Sequence, residues 1–318
     1  MFIEKGPSGA FLVKKVAQKK ISTKLLSSDI TAQALDSLAQ KETTFSSDMF
    51  SYKNFASQLH NPEILQMVLI QTKQLLNRVE AIPLLEPHNP LCDYGKKIQS
   101  RLQNQFPAEF IFHSNHIEGS KISQEEITKI LEGKKSIYPI KNEIQEVKNS
   151  LKSRNLLKDD FIRNISNIKK LYHTLTKNLL QETGDPYPRG FKKYQIIVNN
   201  QPTSDPTQVE TFLGKLITEI KLGKKTTFPL QLAFDFHLKY EQIHPFTNGN
   251  GRTGRLLMDK ILIQNGFLPM IVFKDNKDAY FNAIQKASEN VVGLKKYYTF
   301  MIEQYGKSVE KMLDFVSL

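Results

Sequence analysis

Apolar positions along this chain recur mainly every three or four residues, the spacing that places them on one helix face. Ile64, Leu65, Val68, Leu69, Leu75 and Leu76 predict a helix over residues 61–83. The breaker cluster from Pro83 to Pro90 reads as a linker or an extended segment. A second helical block runs from about Tyr94 to Ile117 and stops at Gly119. Ser123, with Glu126 three positions on, reads as a capping box opening a helix that ends at Gly133. Helical patterns follow over about 140–180, 208–221, 229–243, 253–265 and 277–312. One segment breaks the period. Within Lys192–Asn200, Tyr194, Ile196 and Val198 alternate and Asn199-Asn200 supplies a turn, so a short strand and hairpin are predicted. Residues 1–60 are rich in Lys, Ser, Thr and Gln and show little period beyond a short helix near Ile30–Leu38. They read as partly disordered or as an appended module. The expected fold class is mostly α with one small β element. Three regions are expected: residues 1–60, a helical region over 61–155, and a core with C-terminal helices over 156–318.

Composition narrows the function classes. Of 318 residues, 40% are apolar and 24% charged, ordinary for a folded globular chain. A single cysteine, Cys92, excludes an intramolecular disulfide and is compatible with a reducing compartment. No apolar run approaches the ~20 residues of a membrane span. The N-terminal apolar patch at Phe11–Val13, followed by Lys14 and Lys15, makes a poor secretory signal. A cytoplasmic location is expected, with delivery into another cell left open. The net charge of +12 is spread along the chain, which argues against a nucleic-acid-binding arm. Arg accounts for only 7 of the 44 basic residues, and two of these, Arg252 and Arg255, lie three positions apart in one motif.

That motif is His244-Pro245-Phe246-Thr247-Asn248-Gly249-Asn250-Gly251-Arg252-Thr253-Gly254-Arg255. It lies between two apolar helical patterns, so it forms a loop feeding a helix N-terminus. The first N–H groups of a helix lack intrahelical partners and favour an anion. Gly249 and Gly251 let the backbone approach phosphate oxygens, and two guanidinium forks add charge-assisted bonds. His244 has an ordinary pKa near ~6.5, which suits it to accept a proton at neutral pH. A base, a phosphate cradle and a charge clamp suit phosphoryl or nucleotidyl transfer to a hydroxyl. His113 with His116, and His237 with His244, are candidate metal pairs, but no Asp, Glu or Cys cluster accompanies them.

The stretch resembles the Fic-domain signature His-Pro-Phe-x-(Asp/Glu)-Gly-Asn-Gly-Arg-x-x-Arg, with Asn248 in place of the acidic residue. A second stretch, Ser114-Asn115-His116-Ile117-Glu118-Gly119, resembles the family's inhibitory motif (Ser/Thr)-x-x-x-Glu-(Gly/Asn). The likeness covers roughly residues 105–300. It implies a Fic-type helical bundle with a β-hairpin flap, and a protein adenylyltransferase using ATP and Mg²⁺. It implies His244 as general base and Phe246 as the anchor of the loop. Gly249, Asn250, Gly251, Arg252 and Arg255 would bind the phosphates, and Tyr280 the nucleoside. Ser114, Glu118 and Gly119 would form an inhibitory element that pairs Glu118 with Arg255. Tyr194, Gln195, Ile196, Ile197 and Val198 would form the flap that aligns a target peptide. The metal position is the altered one, Asn248. The expected partners are ATP and a protein bearing a Ser, Thr or Tyr hydroxyl, with self-modification and a homodimer as further options. Transfer of UMP or phosphate, removal of AMP, and a non-catalytic nucleotide-binding role stay open as alternatives.

Overall fold

Two adjacent helices, α6 (Pro229–Ile243) and α7 (Asn250–Gln264), are buried over nearly their whole length and pack against each other. Pro229 opens α6 at a first-turn position, where a missing N–H costs nothing. Their connection is the motif loop, so the fold places that loop at one end of its central helix pair. The computed structural model describes residues 2–6, 9–16, 19–24, 93–157, 161–198, 201–223, 227–265 and 267–317.

The other helices wrap this pair. They are α1 (Asp93–Ile117), α2 (Gln124–Leu131), α3 (Lys141–Leu156), α4 (Ile165–Leu175), α5 (Val209–Gly223), α8 (Lys277–Ala287) and α9 (Val291–Ser317). α5 packs on α6, both α1 and α4 reach α7, and α9 packs on α1 and α8. Arg154 on α3 ties the cage to the centre. Its guanidinium lies 4.9 Å from the Phe106 ring and 5.2 Å from the Phe110 ring of α1, and pairs with Asp259 of α7 at 3.3 Å. Asn149 of α3 donates to the Leu175 and Lys177 carbonyls at 3.0 and 2.7 Å, satisfying the C-terminal end of α4.

The helical expectations hold in outline and shift at their ends. Ser123 Oγ accepts from the Glu126 N–H at 3.3 Å, but the Glu126 carboxylate turns to Lys129 and Ser136, so the box is only half closed. The pattern over 140–180 resolves into α3 and α4. Asn164 starts α4 by accepting from the Asn167 N–H at 2.9 Å. The pattern over 277–312 splits likewise, because Asn290 accepts the Gly293 N–H at 2.8 Å and opens a new helix. α7 begins at Asn250 rather than Thr253, because Gly249 takes φ 77° and turns the chain directly into the helix.

Strands also differ from expectation. The hairpin is confined to β4 (Ile197–Val198) and β5 (Gln201–Pro202), while Tyr194–Ile196 lead into it outside the ladder. Residues 1–60 read as partly disordered or as an appended module, and no strand is predicted there. In their described part, β1 (Phe2–Gly6), β2 (Gly9–Val16) and β3 (Lys19–Lys24) form an antiparallel meander, with Phe2 opposite Val13 and Val16 opposite Lys19. Interspersed lysines hid the strand alternation. The helices expected at 30–38 and 61–83 and the linker at 83–90 lie outside the described residues. Among the described residues no helix is long and apolar enough to cross a membrane.

Candidate active site

α6 ends where the His244 N–H donates to the Tyr240 carbonyl at 2.9 Å. His244 then takes φ 48° and ψ 62°, a left-handed conformation that costs a residue with a β-carbon about 1–2 kcal/mol. Such a conformation persists only where its surroundings over-determine it, often at working sites. The imidazole is largely buried and its Nδ1 has no hydrogen-bond partner. Burial pulls its pKa down to about 4, and the Lys192 charge acts the same way. The Glu241 carbonyl and the Glu118 carboxylate oppose this. His244 is therefore neutral at pH 7 and can accept a proton.

The rest of the loop is locked from below. Phe246 is fully buried, stacked on Tyr172 with ring centroids 3.8 Å apart, and held from the side by Phe191 at 5.3 Å. Asn250 clamps the loop backbone. Its Oδ1 accepts from the Phe246 N–H at 2.9 Å and its Nδ2 donates to the Phe246 carbonyl at 2.8 Å. The Asn250 side chain is thereby committed, and what the turn can offer an anion is backbone N–H from the first turn of α7.

Both motif arginines are buried and both meet a glutamate. Arg252 pairs through Nη1 with Glu146 of α3 and donates from Nη2 to the Tyr187 hydroxyl at 3.2 Å. Arg255 donates from Nε to Ser114 Oγ at 3.0 Å, and from Nη2 to the Ser114 carbonyl at 2.9 Å and Glu118 Oε1 at 2.7 Å. Arg252 Nε and Arg255 Nη1 are buried without hydrogen-bond partners. The Glu118 side chain, 21% exposed, lies directly over the first turn of α7. A β-carbon at Gly251 would meet Glu118 Oε1 at 2.4 Å and Arg255 Nη1 at 2.9 Å. The glycine leaves room for a carboxylate in the cradle. Burial works to raise the Glu118 pKa, yet Arg255 and then Arg252 outweigh it and hold the carboxyl below its ordinary value. Gly119, at φ 105°, turns the chain away just after it.

The wall behind Arg255 is polar but weakly charged. Burial pushes the Glu241 carboxyl up to about 8 and pulls His237 down to about 3, so both are mainly neutral at pH 7. Glu241 therefore adds little negative charge beside Arg255, and the ionised partner of Arg255 is Glu118. Tyr280 is 1% exposed, hydrogen-bonds His237 Nε2 at 2.7 Å and lies beneath Arg255 at 5.9 Å. The ring is packed between His237 and Arg255, so it supports the arginine from below. In the flap, Tyr194 and Ile197 are 59% and 70% exposed, so two apolar side chains stand free beside the hairpin.

Four residues of the site carried no motif signal: Glu146, Tyr187, Lys192 and Glu241. Glu146 meets Arg252 across 106 positions of sequence, a distance no local pattern reveals. Glu241 left a weak trace as a carboxylate within an apolar helical run.

The metal position fits Mg²⁺ poorly. Asn248 offers one neutral carbonyl oxygen, and that oxygen already accepts the Gly249 N–H at 2.7 Å. Mg²⁺ prefers charged oxygen ligands in near-octahedral order. Among the described residues no three His, Cys, Asp or Glu side chains converge. His113 instead lies 3.5 Å from Glu109, and His116 hydrogen-bonds the Phe112 carbonyl at 2.9 Å.

Comparison with known proteins bears on the family and the fold. The chain is 29% identical over 200 residues to a protein adenylyltransferase Fic of Aedes aegypti, covering 59% of this chain and 38% of the relative. It is 29% identical over 192 residues to a probable protein adenylyltransferase of Aquifex aeolicus, covering 56% of this chain and 54% of the relative. The chain thus spans 38% and 54% of these two relatives' lengths. The fold is shared with a Fic-domain signalling protein of Bacteroides thetaiotaomicron, with a TM-score of 0.64 at 19% identity over 78% of this chain and 97% of that one. Fic-1 of C. elegans gives a TM-score of 0.64 at 20% identity, over 80% of this chain and 74% of that one. The sequence model of the Fic/DOC family matches residues 164–262, which contain His244, the Gly249–Gly251 turn and both arginines. The chain therefore carries a Fic/DOC-family domain across residues 164–262.

Proposed function

We propose that this chain transfers AMP from ATP to a Ser, Thr or Tyr hydroxyl of a protein, and that Glu118 restrains it. The observation that carries this reading is the seat of the Glu118 carboxylate, an anion held between Arg255 and the first turn of α7 at Gly251. A site that accepts a carboxylate there suits a phosphate oxygen when Glu118 leaves. Arg255 Nη1 and Arg252 Nε are unspent donors beside it. Neutral His244 takes the proton of the target hydroxyl as its oxygen attacks the α-phosphorus. Pyrophosphate leaves, carrying the electron pair of the broken P–O bond. The relatives' names support an adenylyl donor. Tyr194 and Ile197, exposed beside the β4–β5 hairpin, support pairing of an extended target peptide along the flap. ATP labelled at its α-phosphorus should mark the acceptor protein, whereas label at the γ-phosphorus should not.

Asn248 favours one variation on this reading. With no carboxylate at the position, Mg²⁺ would arrive with the phosphates of ATP and water, and the protein would add little to its hold. Asn248→Asp, made in a Glu118→Gly background, is expected to raise transfer and to lower the Mg²⁺ concentration giving half-maximal rate by about tenfold, one charged ligand being worth on the order of 1–2 kcal/mol. A Mg²⁺ titration of both forms checks this. No gain from Asp at any concentration, with the Asn form active, would show that position 248 does not govern the metal. Inactivity of both forms would favour a nucleotide-binding protein without catalysis.

A further inference from the structure

Lys192 sits just ahead of the flap hairpin and is 3% exposed. Its backbone N–H donates to the Pro245 carbonyl at 2.9 Å, and its Nζ donates to the Ile243 carbonyl at 2.9 Å. These two carbonyls belong to the residues on either side of His244. A third bond runs from Nζ to Thr203 Oγ1 at 2.7 Å, and that hydroxyl donates on to the Ile196 carbonyl at 2.8 Å. Ser204 Oγ adds a second donor to the Ile243 carbonyl at 2.6 Å. One residue thus grips the chain before and after His244 and, through Thr203, both limbs of the hairpin.

Burying an ammonium is costly unless its protons are bonded. An apolar side chain would fill the space without that cost, so the charge and the directed donors are what Lys adds. The C-terminal carbonyls of α6 need partners in any case, and a cation at a helix C-terminus is favoured. His244, in a left-handed conformation, needs its neighbours fixed. The charged and titratable groups facing His244 are Lys192 from the flap side and Glu118 from the end of α1. Asp205 is the carboxylate that acts on Lys192 itself.

We propose that Lys192 is the positioning residue for His244, tying the backbone on either side of His244 to the flap hairpin so that base and target hydroxyl are held in register. The functional part of this inference rests on the reading of His244 as base. The mechanical part rests on the three hydrogen bonds alone. Burial brings the Lys192 pKa down to about 8, so the group is mainly charged at neutral pH, and its charge depresses the basicity of His244. Lys192 opens the segment predicted as a short strand and hairpin, but nothing in that pattern links its ammonium to the end of α6.

The test uses the full chain with Glu118→Gly, alone and with Lys192→Met or Lys192→Arg. Two readouts are taken: the titration of the His244 imidazole by NMR of histidine-labelled protein, assigned against His244→Ala, and the rate of α-labelled ATP incorporation. Lys192→Met removes the charge and all side-chain donors. It is expected to raise the His244 pKa by about half a unit or more and to lower incorporation about tenfold. ATP affinity should stay within about threefold, and Lys192→Arg should restore much of both properties. If Lys192→Met does not fold, Lys192→Gln carries the same expectation for the titration. A folded neutral variant whose His244 titrates as in the parent would overturn the proposal. A shifted titration with undiminished incorporation would reflect only the lost charge and would also overturn the positioning role, whereas undiminished incorporation by His244→Ala would overturn instead the reading of His244 as base.

Discussion

His244→Ala is expected to lower nucleotide transfer by about a hundredfold or more, the usual size of a general-base contribution, while ATP still binds. Binding should survive because the cradle is built from other groups: the first turn of α7, Arg252 and Arg255. The loop itself is held by Phe246 on Tyr172 and by the Asn250 clamp. Removing the side chain also lets Ala take a left-handed φ at a cost similar to that of His, so the fold should persist. The pH profile adds a second check. Burial holds the His244 pKa at about 4, below the ordinary value of ~6.5. The rate should therefore stay flat through pH 6 and fall only as the imidazole gains its proton further down. The same shift has a consequence for stability. The unfolded chain binds that proton first, so the contribution of His244 to stability is present above its unfolded pKa and is lost as pH falls toward 4. Calorimetric or mass-based measurement of ATP binding, set beside initial rates across pH, separates these effects. Labelling by the variant as fast as by the parent would mean that His244 does not carry the proton.

Glu118→Gly is the second change with a large expected effect, in the opposite direction. The carboxylate occupies the cradle against Gly251 and uses Arg255 Nη2. Removing it opens the first turn of α7 and frees a guanidinium edge. Ser114 still holds Arg255 through two hydrogen bonds, to Nε and to Nη2, so the arginine should keep its place rather than collapse. A competing contact of this kind is commonly worth 1–3 kcal/mol, or about 5- to 150-fold. Incorporation from labelled ATP should rise by about tenfold or more. Equal or lower incorporation in a folded variant would count against restraint by Glu118. If the chain instead removes AMP from a modified protein, the same substitution should abolish that removal, which distinguishes the two directions of chemistry.

Much of this site was legible because its chemistry is local in sequence. The His244–Arg255 stretch contains the histidine, the turn and both arginines within one loop and one helix start, and the fold keeps them together at the α6–α7 junction. The Ser114–Gly119 stretch was legible for a different reason. It is remote in sequence, but its residue types and its helix-ending glycine match a family pattern, and the structure seats it on Arg255. What escaped was held by long-range pairing. Glu146 looks like any solvated acidic residue until α3 packs beside α7. Lys192 is one lysine among many until the flap folds over the end of α6. The surroundings of Tyr280 were not legible either: its bond to His237 and its contact with Phe300 of α9 join residues far apart in sequence. The strands at residues 2–24 were missed because lysines dilute their alternation, and strand pairing depends on partners that a single segment does not announce.

The central claim is that an adenylyl group, with its α-phosphorus, moves from ATP to a protein hydroxyl under the control of His244. It is tested most directly by incubating the Glu118→Gly chain and the Glu118→Gly/His244→Ala chain with ATP labelled at either the α- or the γ-phosphorus. Each chain would be offered itself and candidate proteins as acceptors, and the intact mass of every product would be read. The account predicts retained α-label and a mass gain of one adenylyl group with Glu118→Gly, no retained γ-label, and almost no gain in the double variant. Retained γ-label, a gain of phosphate alone, or equal adenylylation by the double variant would contradict it.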